Sequence, residues 1–493
     1  MGGAVGASIY SRITLPARTC CLIFIVLPGV LAPSLSFALP AFPDAEGFGA
    51  DTVHARGKGI CRVTRLDDEN ASQAMKYLKP GQFRYCLDKI KTAGGGYLLF
   101  DVSGTIQLKR NALIPSNSYI AGQTATGGIS FEGNALVLAN ASDVVIRHIR
   151  HREAASKGDA ITVINSSNVV IDHVSISAFK DGAIDIVDNA HDITVQWSHM
   201  GDAMRSGSKK EPYHGEPNLL RTGVDRVSFH HNLYTHGYSR MPWAQKTCKP
   251  GMLIEFSNNV VYNYRKYPSD FDARNGRGNV IGNYYIAGAN THGDSGSRKP
   301  RPPVTGSNNF SLYVRDNIMA AGTGHDAKEM EGPDQGIGRG TALPVYSARA
   351  TTESPDYLIM GVGAGKLGPQ KGVLNQLHHR VEEIPNITTQ ESVDNLEQVL
   401  AHFGAMPRDN TDKRLASEVV DRAGRWKFER PDDNNRYLHG NGGRDQDNDG
   451  LSDAFEHEYG SDLATNGHDL HPGYDNIEVY LNQMADELMA VTH

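Results

Sequence analysis

Past its first forty residues this 493-residue chain has no apolar run long enough to span a bilayer, which excludes a membrane helix from the body of the protein. Positive charge is not in excess: 49 Lys and Arg stand against 56 Asp and Glu, for a net charge of -7. That sign disfavours nonspecific binding to nucleic acid. It also repels an acidic ligand unless a cation or a local basic strip intervenes. Cysteine is scarce, five in all, and Cys20 and Cys21 lie in the leader, so the rest of the chain has material for one disulfide.

The leader reads as a signal peptide over residues 1–38. Arg12 and Arg18 flank an apolar run from Cys20 to Ala32, and Ser36-Phe37-Ala38 offers a small-residue cleavage site. Pro28 and the shortness of the run argue against an uncleaved anchor. Export, to the periplasm or the medium, is therefore expected, and the loss of two arginines and no acid takes the net charge to about -9. In an oxidising compartment Cys61 and Cys86 are the expected pair, because ICRVTRL and FRYCLDKI look like neighbouring pieces of an N-terminal cap. Cys248 is then a lone thiol; three free buried cysteines are the alternative.

What the sequence does contain is a loose repeat. NASDVVIRHIRHR from Asn140, NSSNVVIDHVSIS from Asn165 and NAHDITVQWSHMG from Asn189 begin 25 and 24 residues apart. Each is a β-branched alternating run bounded by Asn, Ser or Gly, the pattern of short strands with tight corners. A period of this size signals a solenoid; an antiparallel sandwich with accidental spacing is the alternative. Further on, Asn232, Asn259, Asn283 and Asn317 recur at intervals of 27, 24 and 34 residues, and stacked coils would align their amides into a ladder. The polar stretch RSGSKKEPYHGEPN between Met204 and Val224 marks an inserted loop, a common place for binding groups.

At 493 residues one large core plus a smaller appendage is expected. The strand pattern gives a solenoid over residues 39–345, and the pattern change gives a partly helical C-terminal extension over 346–493. In PNITTQESVDNLEQVLAHFG, Val393, Leu396, Val399 and Leu400 share one helical face, and Val419–Phe428 and the terminal IEVYLNQMADELMAV are further helix candidates. Within the extension Asp445, Asp447, Asp449, Gly450, Asp453 and Glu456 occupy positions 1, 3, 5, 6, 9 and 12 of the EF-hand calcium loop, residues 445–456. RYLHGNGGR before it is a poor helix, so this reads as a lone structural calcium loop; an acidic linker is the alternative. The adjacent pairs Asp172-His173 and His230-His231 suggest a metal site, but on a solenoid such residues more often bond from coil to coil.

EGFGADT from Glu46, FDVSGTI from Phe100, SYIAGQTATGGISFEG from Ser118, VVIDHVSIS from Val169, VSFHHNLYTHGYSRMP from Val227 and NNVVYNY from Asn258 resemble the pectate lyase superfamily, nearest the bacterial pectate trisaccharide-lyases, over most of residues 42–320. The resemblance implies an all-β fold, a right-handed single-stranded parallel β-helix. It also implies calcium-assisted β-elimination on pectate or a related acidic polyuronate. The uronate α-proton is weakly acidic until its carboxylate is neutralised, which a calcium ion on oxygen ligands can do. The family's calcium carboxylates map onto Asp159 in KGDAITV and onto Asp181 and Asp185 in KDGAIDI, its base onto Arg240 in SRMP, and its substrate-carboxylate clamp onto Arg274 in FDARNG.

The departures from the pattern matter equally. Lys157 stands where many relatives have a further Asp, Gln245 where they have a second Arg, and Glu216 near the usual substrate-binding Lys, for which Lys209, Lys210 or Arg205 would substitute. Solvated turn acids and surface arginines are the plain alternatives for the matched residues. Two other functions stay open: a noncatalytic carbohydrate-binding β-helix, and a β-helix glycoside hydrolase, which would need paired carboxylates set for acid and base or nucleophile. The expected partner is an acidic polysaccharide, the expected cofactor Ca2+, and the expected state a monomer.

Overall fold

The computed structural model describes residues 39–68, 78–154, 158–204, 214–291, 304–307, 309–320, 346–348, 359–361, 375–377, 379–426, 430–438, 444–460 and 463–490. Among them, short strands coil into three sheets of eleven, ten and nine strands. The first sheet and the third are parallel throughout, and the second gains one antiparallel strand, Tyr346–Ala348, at its end. The result is the expected parallel β-helix, and its right hand follows the strong chiral preference of parallel crossovers.

Register makes the interior a stack of like side chains. Along the first sheet Ile146, Ile171, Val195, Phe229, Phe256, Val280 and Val314 lie one above another, all buried. Each coil turns from the first sheet to the second through one left-handed residue: His148, His173, Trp197, His231, Asn258 and Asp316 all have φ between 48° and 55°. Such residues cost about 1 kcal/mol or more when they carry a Cβ, and the amides beside them offset this. Asn232 donates to Asn259, Asn259 to Asn283 and Asn283 to Asn317, at 2.8–3.0 Å, which is the expected ladder. At the corner between the third sheet and the first, Asn165 donates to Asn140 at 2.7 Å.

The open N-terminal end is closed by helix α1 (Phe83–Thr92), which turns Phe83, Cys86, Leu87 and Ile90 into the core. A disulfide joins Cys86 to Cys61, and Cys248 is a buried free thiol. Parallel strands continue past residue 345, through Ile359–Gly361 and Asn375–Gln376.

The remaining helices dress the outside of two sheets. Helices α2 (Ser392–His402) and α3 (Asn410–Val420) lay Val399, Phe403 and Val419 over Leu233, Val260, Tyr262 and Tyr284 of the second sheet. Each such buried side chain contributes about 1.5–3 kcal/mol. Buried ion pairs pin the same segment: Asp409 and Asp412 each lie 2.8 Å from Arg152, and His199 lies 3.1 Å from Asp412. The helix expected at Val419–Phe428 instead ends at Val420, because Arg422 (φ 53°) and Gly424 (φ 79°) break the right-handed turn. It begins earlier, where the Asp409 side chain accepts from Asp412 N.

Helices α4 (Asp453–Tyr459) and α5 (Asn476–Ala490) place Phe455, Ile477 and Leu481 on Tyr97, Tyr119, Val145 and Val170 of the first sheet. Further along that sheet, Gly49 N bonds to Thr194 and Val381 N to Asn279. Among the described residues no helix packs on the third sheet. Its outward residues Thr162, Asp185, Leu219, Trp243 and Asp270 are all partly exposed. No helix among the described residues is long and apolar enough to cross a membrane.

Candidate active site on the bare sheet

The corner leading into the third sheet gathers the acids singled out in the sequence. Asp159 sits two residues before the strand Ile161–Ile164, Asp181 three before the next strand, and Asp185 within that strand, where it pairs with Thr162. Asp159 Oδ1 accepts from Gly182 N at 3.0 Å, its Oδ2 accepts from Thr162 Oγ1 at 3.1 Å, and Asp185 Oδ1 accepts from Leu219 N at 3.1 Å. A Cβ on Gly182 would fall 2.5 Å from Asp159 Oδ1 and 2.6 Å from Asp185 Oδ1. Both oxygens therefore converge on a space that exists because residue 182 has no side chain.

Crowded carboxylates without a counter-ion hold their protons. Burial, then the charge of Asp181, pushes Asp159 up to about 6; burial, then the charge of Asp159, pushes Asp185 well above the ordinary carboxylate range. Asp181 behaves oppositely. His214 lies 2.7 Å from its Oδ1, and this hydrogen bond draws Asp181 down and His214 up. The three acids share one corner, but Asp181 is engaged by His214 rather than closing a three-carboxylate cluster: their oxygens do not all come within 4.8 Å of one another. The Gly182 cradle and two convergent carboxylates fit a calcium ion, a hard cation that takes oxygen ligands.

Arg240 reaches the same corner two coils on. Its backbone is left-handed (φ 62°), its carbonyl accepts from Asn218 N at 2.8 Å, and its guanidinium lies 2.7 Å from Glu216 Oε2 and 4.9 Å from the Trp243 ring. Ser239 Oγ donates to the other Glu216 oxygen at 2.7 Å, and His214 stands 3.4 Å from Glu216. Where the resemblance places a lysine, this chain has a carboxylate gripping the arginine. His214 was not anticipated; it lay inside the polar loop with nothing local to mark it.

Arg274 does not join this group. Trp243 pairs with Asp270, so Arg240, ahead of its strand, and Arg274, beyond the end of the next, lie at opposite edges of the sheet, and Arg274 is exposed. Lys209, Lys210, Arg205, Lys157 and the leader lie outside the described residues.

In the EF-hand-like loop Asp445, Asp447 and Asp449 bring ligand oxygens within 4.8 Å of one another. Gly450, at φ 110°, donates its N–H to Asp445 Oδ2 at 3.0 Å, and Asp445 Oδ1 is buried without a hydrogen-bond partner. That orphaned oxygen suits a cation. Asp453 is turned away, accepting from Gln446 N at 2.7 Å. Asp172, by contrast, is committed from coil to coil, to Arg147 at 2.7 Å and Gln196 at 2.9 Å, as expected. His231 bonds Gln390 and stacks on Trp197 at 4.2 Å.

Residues 101–317 match a family model described as pectate lyase. A probable pectate lyase C of Aspergillus fumigatus is 29% identical over 459 residues, which cover 91% of this chain and 94% of that one. Its counterpart in Emericella nidulans is 28% identical over 469 residues, with 92% and 95% covered. Among solved structures, a pectate lyase of Bacillus sp. N165 in complex with trigalacturonate is 16% identical, with 73% of this chain and 98% of that one covered and a TM-score of 0.45. The cedar pollen allergen jun a 1 is 17% identical, with 73% and 93% covered and a TM-score of 0.44. The sequence relatives and the parallel coil point to one class, the polysaccharide lyases. Over residues 101–317 and along most of its length, the chain is similar to pectate lyases.

Proposed function

We propose that this chain is an exported, calcium-dependent lyase that cleaves pectate or a related polyuronate by β-elimination. The observation that carries the reading is the convergence of Asp159 and Asp185 over Gly182 on the bare sheet, with Arg240 at the same corner. Asp159 and Asp185, with Asp181 if it leaves His214, would hold the ion. Calcium, when bound, supplies positive charge that stabilises the carbanion-like state of a uronate whose α-proton is leaving.

The chain's own groups do the rest. Arg240, whose positive charge draws down both Asp181 and Asp185, is the group assigned to the proton, directly or through water. Glu216 and Ser239 fix its orientation, and orientation governs the rate of such a step. Among the described residues no helix covers the third sheet, and its outward residues from Thr162 to Asp270 are partly exposed, which suits a polymer lying along it. The disulfide between Cys61 and Cys86 supports an oxidising destination. Monomeric action is part of this proposal.

The test is product chemistry. Purified protein is incubated with polygalacturonate and calcium, and ultraviolet absorbance of unsaturated uronate ends is followed beside total reducing ends. A calcium-dependent rise that is abolished by Arg240→Ala supports the lyase. Reducing ends without unsaturation point to a hydrolase, binding without either product to a noncatalytic module, and full turnover by Arg240→Ala removes that residue from the proton transfer.

A further inference from the structure

The bare row continues beyond Arg240. Register carries it from Asp185 through Leu219 and Trp243 to Asp270, one residue per coil. Coils repeat about every 4.8 Å, so a polysaccharide lying along the row meets a new floor residue at roughly each sugar ring.

The floor changes character along the way. Trp243 is half-buried, holds the Arg240 guanidinium 4.9 Å from its ring centre, and donates its indole N–H to Asp272 Oδ2 at 3.2 Å. One coil on, Asp270 pairs with Trp243 in register, and its Oδ1 is shut from solvent with no hydrogen-bond partner. Burial, then the charge of Asp272, pushes Asp270 up to about 7, and burial raises Asp272 against the opposing pull of the Trp243 hydrogen bond and the exposed Lys246. An indole beside the partly exposed Asp270 and Asp272 suits a pyranose ring: its C–H face packs on the aromatic and its hydroxyls donate to the acids. A uronate carboxylate set down here would meet the Asp272 carboxylate, and a second like charge on Asp270 once the pH exceeds about 7. Gln245, the neutral residue where the resemblance expects an arginine, follows two places after Trp243 and adds no compensating charge.

We infer that Trp243, Asp270 and Asp272 form a subsite for an uncharged sugar ring, either a neutral pyranose or a uronate whose carboxyl is esterified, two to three coils from Asp185. The inference rests on the lyase reading and narrows its substrate to a polymer that mixes acidic and uncharged residues.

The full-length protein is assayed for unsaturated ends on three polymers: polygalacturonate, methyl-esterified pectin, and a backbone alternating galacturonate with a neutral sugar. The wild type is expected to show kcat/KM at least about tenfold higher on one of the last two than on polygalacturonate, and which of them wins identifies the uncharged ring. Asp270→Asn and Asp272→Asn, nearly isosteric changes, should reduce that preference at least threefold through KM while melting temperature is kept. Asp272→Lys should raise relative activity on polygalacturonate. Fastest cleavage of polygalacturonate, or a preference that none of these substitutions moves, overturns the subsite and leaves the lyase standing. Unsaturated ends from none of the three polymers overturn the lyase reading and the subsite together.

Discussion

Gly182 offers the sharpest perturbation. In Gly182→Ala the new methyl would fall 2.5 Å from Asp159 Oδ1 and 2.6 Å from Asp185 Oδ1, so both carboxylates must withdraw by most of an ångström to reach ordinary contact. Its left-handed freedom is not at stake, since residue 182 has no positive φ. The fold should tolerate the change, and an alanine at a compatible backbone stabilises by about 0.4–1 kcal/mol. Ion affinity should not survive it. Two unit charges about 4 Å apart interact by about 4 kcal/mol at an effective dielectric of 20. Displacing one of two carboxylates from a divalent ion should therefore cost about 3 kcal/mol, or roughly a hundredfold in Kd. Calorimetric calcium titration beside a thermal melt is the assay. Unchanged calcium affinity and unchanged turnover, in a protein of unchanged melting temperature, would refute the cradle.

Further expectations concern the neighbours. Glu216→Gln, which breaks the 2.7 Å ion pair to Arg240, should lower kcat on the order of a hundredfold with KM little changed, because it removes orientation rather than substrate contact; steady-state kinetics decides. Burial pushes Asp159 up to about 6 and Asp185 well above the ordinary carboxylate range, so in metal-free protein these acids carry protons that the unfolded chain has released. Their contribution to stability is present below the ordinary value of 3.8 and is lost as pH rises through 6, on the order of 2–3 kcal/mol for Asp159. Calcium must displace those protons, so the rise in melting temperature it causes should grow between pH 4 and pH 7, and a rise that shrinks would contradict the assignment. In the EF-hand-like loop Asp445→Asn should lower the calcium-dependent part of the melting temperature by a few degrees, since ion binding at 100 times Kd is worth about 2.7 kcal/mol. It should leave turnover at saturating calcium nearly unchanged.

How far the sequence reaches depends on the range of the forces involved. The coil was legible because its period is written once per turn, in the runs from Asn140, Asn165 and Asn189, and in the amides that form the ladder from Asn232 to Asn317. The cap disulfide was legible for the same reason, since both halves lie within 25 residues. Which face stays bare was not legible. Val399 and Phe403 announce an apolar helix face, but nothing in their spacing says that it lies on Tyr262 and Tyr284 and not on the sheet that carries Asp185. Arg274 was placed by its neighbours in sequence, whereas strand register sends it to the opposite edge from Arg240. Trp243, Asp270 and His214 carry no local signature, because their meaning comes from the coil above or below and from the bond of His214 to Asp181.

The account stands on a cation held by two aspartates of the bare sheet and needed for bond cleavage. Its most direct measurement is a calcium titration of unsaturated-product formation from the preferred polymer, run in parallel on the wild type, Asp185→Asn and Asp445→Asn. The expected result is no turnover in chelator, saturable activation of the wild type and Asp445→Asn, and no activation of Asp185→Asn at concentrations that saturate the others. Turnover that persists in chelator, or an Asp185→Asn protein that titrates like the wild type, would contradict it.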